Sequence, residues 1–318
     1  MQADLYNLQP AIGEVNGLRS NYQIAIIKGE SREFGKCDIE IQNKKVEPSE
    51  IIRGDIARTY IYMEQNYPKY INFNNSMDNK VFAKWNNLFG YGLFFVALLT
   101  FGITVEPTAS FWDCAEYIAT SAKLQVGHPP GAPLFQMMGA FFSIFASSPD
   151  QIALMVNFMS VISSATTVLF LFWTITLLLK KIYNIKSFDN SIKRISFFGS
   201  ASIGSLAFCF SDSFWFNAVE AEVYAMATCL MSIMFWVSLK WESEMNTPRG
   251  DRWLVLISFL VGLCFGVHFM ALLTIPAMGM LYYFKNYRKI TLKGFILANL
   301  ISVAILLLSL IHISEPTR

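Results

Sequence analysis

"PLFQMMGAFFSIFA", residues 133–146, is the stretch on which the threading of the chain turns. As a helix its fourteen residues reach about 21 Å at ~1.5 Å per residue, short of a hydrocarbon core of about 30 Å. Seven other apolar segments are expected to span a bilayer: 88–105, 152–179, 195–211, 223–239, 253–267, 270–284 and 294–307. The run 152–179 is longer than the core and must tilt or extend past it. Basic loop residues decide the case of 133–146, because Lys and Arg collect on the cytoplasmic side. If 133–146 does not span, Lys180, Lys181, Lys186, Lys193 and Arg194 fall on the same side as Lys80 and Lys84. The basic loops 240–252 and 285–293 join them, and Lys123 is the only basic loop residue opposite. If it did span, the most basic loop would flip outside. Residues 133–146 are therefore expected to form an interfacial or re-entrant helix on the outer face.

Composition agrees with a polytopic membrane chain. Hydrophobic residues make up 54% of the 318 and charged residues 15%, against about a quarter charged in an ordinary soluble domain. The charge is uneven: residues 1–76 hold nine Lys/Arg and ten Asp/Glu, a normal soluble balance. The chain reads as a soluble N-terminal piece, 1–76, followed by a membrane piece, 77–307. A net charge of +2 gives no argument for nucleic acid as a partner of the membrane piece. The five cysteines are scattered, with no CxxC pair and no zinc spacing, so neither a disulfide framework nor a metal centre is expected. The N-terminus has no basic region followed by an apolar core, so no signal peptide is read there.

This threading gathers Asp113, Glu116, His128, Glu220, Glu222 and His268 at the outer ends of the segments. Ionisable groups beside an apolar region are costly unless paired or wetted, which makes them functional candidates. "SFWDCAEYIAT" lacks Gly and Pro and is expected to start a helix capped by Ser110 or Asp113. Asp113 and Glu116 then stand at i and i+3 on one face. Two adjacent carboxylates do not readily both ionise, so one should have a raised pKa suited to a general base. A capping acid beside a solvated acid accounts for the same spacing. "GHPPGAP", 127–133, must be a rigid loop, which either positions His128 or simply breaks the helix. Glu220 and Glu222 are two apart and should point to different faces of a helix, with Glu220 favoured for the site. His268 lies between two apolar half-segments that end at Pro276; a satisfied buried hydrogen bond is the simpler role for it.

Three motifs, "SFWDCAEYIATSAKLQVGHPPGAPLF", "WFNAVEAEVYAM" and "GVHFMALLTIP", closely resemble a bacterial membrane family long listed as a domain of unknown function. That family is related to the vertebrate transmembrane protein O-mannosyltransferase and belongs among the GT-C glycosyltransferases. The resemblance covers about residues 77–307. It implies an all-α, GT-C-like polytopic fold of about seven transmembrane helices in a bacterial inner membrane, truncated relative to longer bacterial relatives. It implies transfer of a sugar from a polyprenyl-phosphate donor to protein hydroxyls on the non-cytoplasmic face, with no certain cofactor. The role of catalytic acid carries to Asp113, with Glu116 beside it. His128 is implied in contact with the lipid phosphate or the acceptor, and Lys123, Glu220 and His268 are further candidates for such contacts. The bilayer, the lipid-linked sugar and an acceptor protein are the implied partners. A transporter or channel is the alternative, but no internal repeat is seen and the central thirds of the spans lack charge.

"DLYNLQPAIGEVNGLRSNYQ", "EFGKCDIEI" and "VEPSEIIRGDIARTYIYM" resemble bacterial endonuclease I, a His-Me finger nuclease, over about residues 3–73. Asn16 of the GEVN motif matches that family's magnesium ligand. The family's catalytic histidine lies upstream of this region, whereas the first histidine here is His128. Hydrolysis needs a base and enough ligands to hold the metal, so this piece is read as a small α/β fragment without its active site. "IIRGDIARTYIYMEQNY" should form an amphipathic helix with Ile52, Ile56, Ala57 and Tyr60 on one face. "LSLIHISEPTR", 308–318, resembles the translation of a sequencing adaptor. Met77 is then read as the start of the membrane protein, its natural sequence as continuing past Leu307, and His312 as without function. A remnant nuclease is the remaining alternative. Incubation with plasmid DNA and magnesium is expected to leave the plasmid intact, and clear cleavage would contradict this reading.

Overall fold

The computed structural model describes residues 22–27, 38–66, 73–129, 131–183, 185, 188, 190–247, 249–287 and 289–314. Asn16, Pro130 and the end of the adaptor-like tail lie outside them. Two compact units divide between Asn79 and Lys80.

In the first unit, strands β1 (Gln23–Ile24), β2 (Ile39–Gln42) and β3 (Lys45–Pro48) form a sheet in the order β1-β3-β2. β1 runs parallel to β3, with Ile24 opposite Val46, and β2 runs antiparallel to it. Asn43 and Lys44 close the β2–β3 hairpin with φ of 51° and 59°, the left-handed pair that such a tight turn requires. Helix α1 (Glu50–Asn66) follows. Of the expected face Ile56 is half-covered, but Ile52 is 46% exposed and Ala57 is exposed; Arg53 and Thr59 are half-covered, and the Tyr60 side chain lies outside those described. Arg53 sets this rotation. It donates from Nε to the Pro48 carbonyl (2.9 Å) and pairs with the buried Glu47 at 2.6 Å.

The second unit is helical: α2 (Phe73–Ile103, beginning in the first unit), α3 (Cys114–Lys123), α4 (Pro133–Ser143), α5 (Ile152–Ile182), α6 (Ser191–Cys209), α7 (Asp212–Ala218), α8 (Val223–Glu244), α9 (Gly250–Phe265), α10 (Thr274–Asn286) and α11 (Leu292–Ser314). α5 carries one apolar core on each side. Val156 and Met159 pack with Phe135 of α4, Met234 of α8 and Leu260 of α9. Val161, Ala165, Val168 and Phe172 pack with Phe101 of α2 and Phe198 of α6. Between α2 and α5 the polar groups find partners: Thr176 Oγ1 donates to Asn86 Oδ1 (2.7 Å) and Trp173 Nε1 to the Asn86 carbonyl (3.3 Å). Such bonds act as interhelical glue in apolar surroundings.

Among the described residues, three helices are long and apolar enough to cross a bilayer, within α2, α5 and α8. The pair α6–α7, bent by 69°, makes a fourth if counted as one span. α9 has 16 residues and α10 only 13. The residues expected to begin a span at 270 instead form a 3₁₀ turn, Phe269–Leu273. Pro276 does not end a segment; it lies in the first turn of α10, where a missing N–H costs no intrahelical bond.

α4 returns to the end of the bundle from which it starts. At its beginning the Gly266 carbonyl, after α9, accepts from Leu134 N–H at 2.7 Å. At its end a short connection leads directly into α5. Its eleven residues are about 16 Å long. Gly139 lets α4 touch α3, since a Cβ there would meet Ser121 Oγ at 2.5 Å and Ser121 Cβ at 2.8 Å. Gly139→Ala should destabilise the bundle by about 1–3 kcal/mol through overpacking, seen as a lower unfolding midpoint in detergent. Combining it with Ser121→Gly should recover most of the loss, because the two positions are in contact.

Candidate functional site

The connection from α2 to α3 is pinned before it reaches the site. Asn157, buried near the start of α5, donates from Nδ2 to the carbonyls of Glu106 (2.6 Å) and Thr108 (2.8 Å). Glu106 N–H donates to the Val219 carbonyl at 3.0 Å. Trp112 then takes φ of 59°, a left-handed conformation that costs a residue with a Cβ about 1–2 kcal/mol, and α3 starts two residues later.

Asp113 occupies the N-cap position of α3, but its side chain makes no capping bond, and Ser110 is not the cap. The Asp113 carboxylate turns instead toward His128, with Oδ2 3.8 Å from Nε2. Glu116, one turn along the same face, accepts from the His128 backbone N–H (2.6 Å) and meets Nδ1 at 3.1 Å. The imidazole thus has one ring nitrogen toward each carboxylate. The loop that presents it is a turn in which Gly131 N–H donates to the His128 carbonyl at 2.9 Å, with Gly131 at φ 76°. The His128 backbone bond, and then its ring, hold the Glu116 carboxyl below its ordinary value. The Glu116 hydrogen bond raises His128 above the usual imidazole value, with the charges of Glu116 and Asp113 adding to it. The pair therefore separates into a firmer anion and a firmer cation, rather than the raised carboxylate expected from two adjacent acids.

Beneath this exposed cluster lie two buried acids. Glu220 and Glu222 are 2% and 5% exposed. They are not on a helix; they lie in the break between α7 and α8. That break lets both point the same way, where a helix would have separated them. Glu222 Oε1 accepts from the Asp113 backbone N–H (3.1 Å) and from Cys114 Sγ (3.7 Å). Burial pushes both carboxyls upward, and for Glu220 bonds from Ser110 and Cys114 pull the other way. Glu222, rather than the favoured Glu220, is the one that touches the Asp113 backbone. Tyr117 packs its ring on His128, 5.9 Å between centroids. Its hydroxyl is pushed up to about 12, by burial first and then by Glu222, Asp113 and Glu116.

His268 caps the 3₁₀ turn, its Nδ1 accepting from Met270 N–H at 3.1 Å, which is the satisfied hydrogen bond expected for it. Its Nε2 therefore carries the proton, and burial lowers its pKa, so the ring is a neutral donor. It packs on Tyr224 at 5.2 Å. Lys123 is exposed in the last turn of α3, about 15 Å along the helix from Asp113, and makes no bond to the cluster among the described residues. Asn157 and Tyr117 were missed by sequence reasoning, and Glu222 was named there only as the less favoured of two acids. A lone Asn in an apolar run was a usable signal for the first; nothing local marks Tyr117. Asp113, Glu116 and His128 offer ligand atoms within 4.8 Å of one another, close enough to share a divalent cation in competition with the proton on His128.

An exposed carboxylate–imidazole cluster thus sits among apolar helices of a length and composition compatible with a membrane protein. The chain belongs to the family of the Protein O-mannosyl-transferase TMEM260 N-terminal domain, whose model matches residues 113–291. The protein O-mannosyl-transferase tmem260 of Dictyostelium discoideum is 23% identical over 162 residues, which is 51% of this chain and 18% of that protein. The Endonuclease I family model matches residues 1–89, so the chain joins two families in chimera-like order. Endonuclease-1 of Buchnera aphidicola (from Acyrthosiphon pisum) is 41% identical over 91 residues, 28% of this chain and 35% of that protein. An extracellular deoxyribonuclease of Aeromonas hydrophila is 43% identical over 70 residues, 21% of this chain and 30% of that protein. The chain thus spans about a third of these nucleases and under a fifth of the Dictyostelium protein. No solved structure matches it.

The paired shifts set a pH window. A depressed Glu116 adds stability that is present above its ordinary value of 4.5 and lost as pH falls through the lowered one. A raised His128 adds stability that is present below 6.5 and lost as pH rises through the raised value. The pair is therefore strongest between about 4.5 and 6.5. Glu116→Gln should lower the His128 titration, followed by NMR of a labelled imidazole, because the hydrogen bond that raises it most is lost. An unchanged titration would show that Glu116 does not hold the ring.

Proposed function

We propose that the helical domain is a membrane glycosyltransferase of the protein O-mannosyltransferase type, acting at the non-cytoplasmic face of a bacterial inner membrane. One observation carries this reading. The Asp113 carboxylate is 55% exposed, 3.8 Å from an imidazole that Glu116 grips, at the end of an apolar bundle. Family membership supports the same class of reaction. In this reading all seven apolar segments lie in the bilayer, with α4 at its outer surface. The end where Glu242 pairs with Lys181 (2.7 Å) and Lys285 (3.2 Å) is cytoplasmic, by the charge bias of its loops.

The donor is a sugar on a polyprenyl phosphate, whose tail stays in lipid while its phosphate meets the acid–imidazole cluster. The acceptor is a serine or threonine hydroxyl of a protein. Asp113 takes the hydroxyl proton as the acceptor oxygen bonds to the anomeric carbon. The bond from that carbon to the phosphate oxygen breaks with inversion, and polyprenyl phosphate leaves with the electron pair. Because the leaving group is already a good anion, the work is positioning and deprotonation. Glu116 orients His128 and keeps it cationic beside the phosphate. His268 offers a neutral N–H, and Lys123 a second positive charge farther along α3. Glu220, buried beneath the cluster, supports the loop rather than touching the substrate. No step is assigned to the nuclease-like piece, and the helical domain needs no nucleic acid.

In a full-length relative, replacing the residue that aligns with Asp113 by Asn should lower sugar transfer to a serine/threonine peptide by about 10²–10⁴-fold, the usual worth of a general base. Expression in the membrane should not change. Transfer at the wild-type rate would remove Asp113 from the mechanism.

A further inference from the structure

A groove of about 620 Å³ runs between α10 and α11, closed on one side by Trp241 of α8. Its chemistry changes along its length. Ile275, Ile301 and Ile305 line the part farthest from the α10–α11 connection, whereas Tyr287, Lys289 and Thr291 stand at the connection itself. The two helices are antiparallel neighbours brought close by small residues: a Cβ on Gly279 would overlap Ser302 Oγ. This close approach, with Ala298 beside it, leaves the flank of the pair unfilled. The mouth is held open in a fixed shape. Tyr283 Oη accepts from Thr291 N–H (3.1 Å) and donates to the Thr291 carbonyl (3.3 Å), and Trp241 stacks on Tyr282 with ring planes 9° apart.

We propose that this groove binds an anionic glycerophospholipid, with an acyl chain along the isoleucine-lined part and the phosphate at Lys289 and the Thr291 connection. The charge at the mouth fits that occupant. Lys289, which lines it, is exposed. Glu242, next to Trp241, does not repel an anion, since Lys181 and Lys285 already pair with it. Aromatic residues and a lysine around an apolar shaft match the boundary between headgroups and acyl chains. Basic sites between membrane helices are where anionic headgroups collect. A zwitterionic lipid satisfies the shaft but not the mouth, and a free phosphate satisfies the mouth but not the shaft. The site stands apart from Asp113, so it holds whether or not the transferase reading does.

The test uses the full chain purified in detergent, with phosphatidylglycerol or phosphatidylcholine added and bound lipid counted by native mass spectrometry. Phosphatidylglycerol should be retained in preference, and inorganic phosphate at the same concentration should not displace it. Lys289→Ala, an exposed change, should weaken phosphatidylglycerol binding about fivefold, the worth of one lysine near an anionic surface, and leave phosphatidylcholine unaffected. Ala298→Trp, which fills the groove, should remove both. Equal retention of the two lipids, displacement by phosphate, or unchanged binding in Lys289→Ala would overturn the proposal. So would a dimer that excludes lipid, which would make the groove an interface between copies.

Discussion

The helical unit depends on α5, a helix of 31 residues, being apolar on both sides over most of its length. Most surface helices bury one stripe and show the other to water. α5 instead places Val156 and Met159 in one core and Val161, Val168 and Phe172 in the other. The remaining helices are arranged by which side of α5 they cover. Its ends fix the two ends of the bundle. Asn157 holds the carbonyls of the connection leading to α3, and Lys181 reaches Glu242 of α8 at the far end. Removing either apolar face would leave one group of helices without a partner surface.

The site is built by separating exposed charge from buried charge. Asp113, Glu116 and His128 stay in contact with solvent, where an ion pair is cheap to form. Glu220 and Glu222 are taken out of water beneath them, which favours their neutral forms. Their use is structural: Glu222 receives the backbone N–H of Asp113 from 109 residues away. A buried acceptor with that bond is satisfied, and the same bond fixes where α3 begins. The left-handed Trp112 is tolerated because the chain is held on both sides of it, by Asn157 before and Glu222 after. The groove between α10 and α11 has a different origin. It comes from small side chains at a helix crossing and the gradient from isoleucine to lysine along it.

Much of this was legible from residue order alone. Long apolar runs announced α2, α5 and α8, because a helix in lipid must satisfy its backbone internally and show apolar side chains along its length. The apolar run 133–146 announced a short helix, which α4 is at eleven residues. The i, i+3 spacing of Asp113 and Glu116 put them on one face, and the prolines after His128 made its loop rigid. What sequence could not supply was the state of those groups. Adjacent carboxylates suggested one raised pKa, but His128 meets Glu116 on two atoms and inverts the shift. Glu220 and Glu222 looked like opposite faces of one helix until the break between α7 and α8 turned both inward. Pro276 looked like an ending and is a beginning, because only the surrounding fold shows which N–H groups have no partner to lose. Periodicity and charge bias are local and additive, so the sequence by itself determined the helical class and the candidate acids. Contacts between residues a hundred positions apart are neither local nor additive. The tertiary structure alone decided which acid touches Asp113, which acid holds the imidazole, and where an apolar groove was left open.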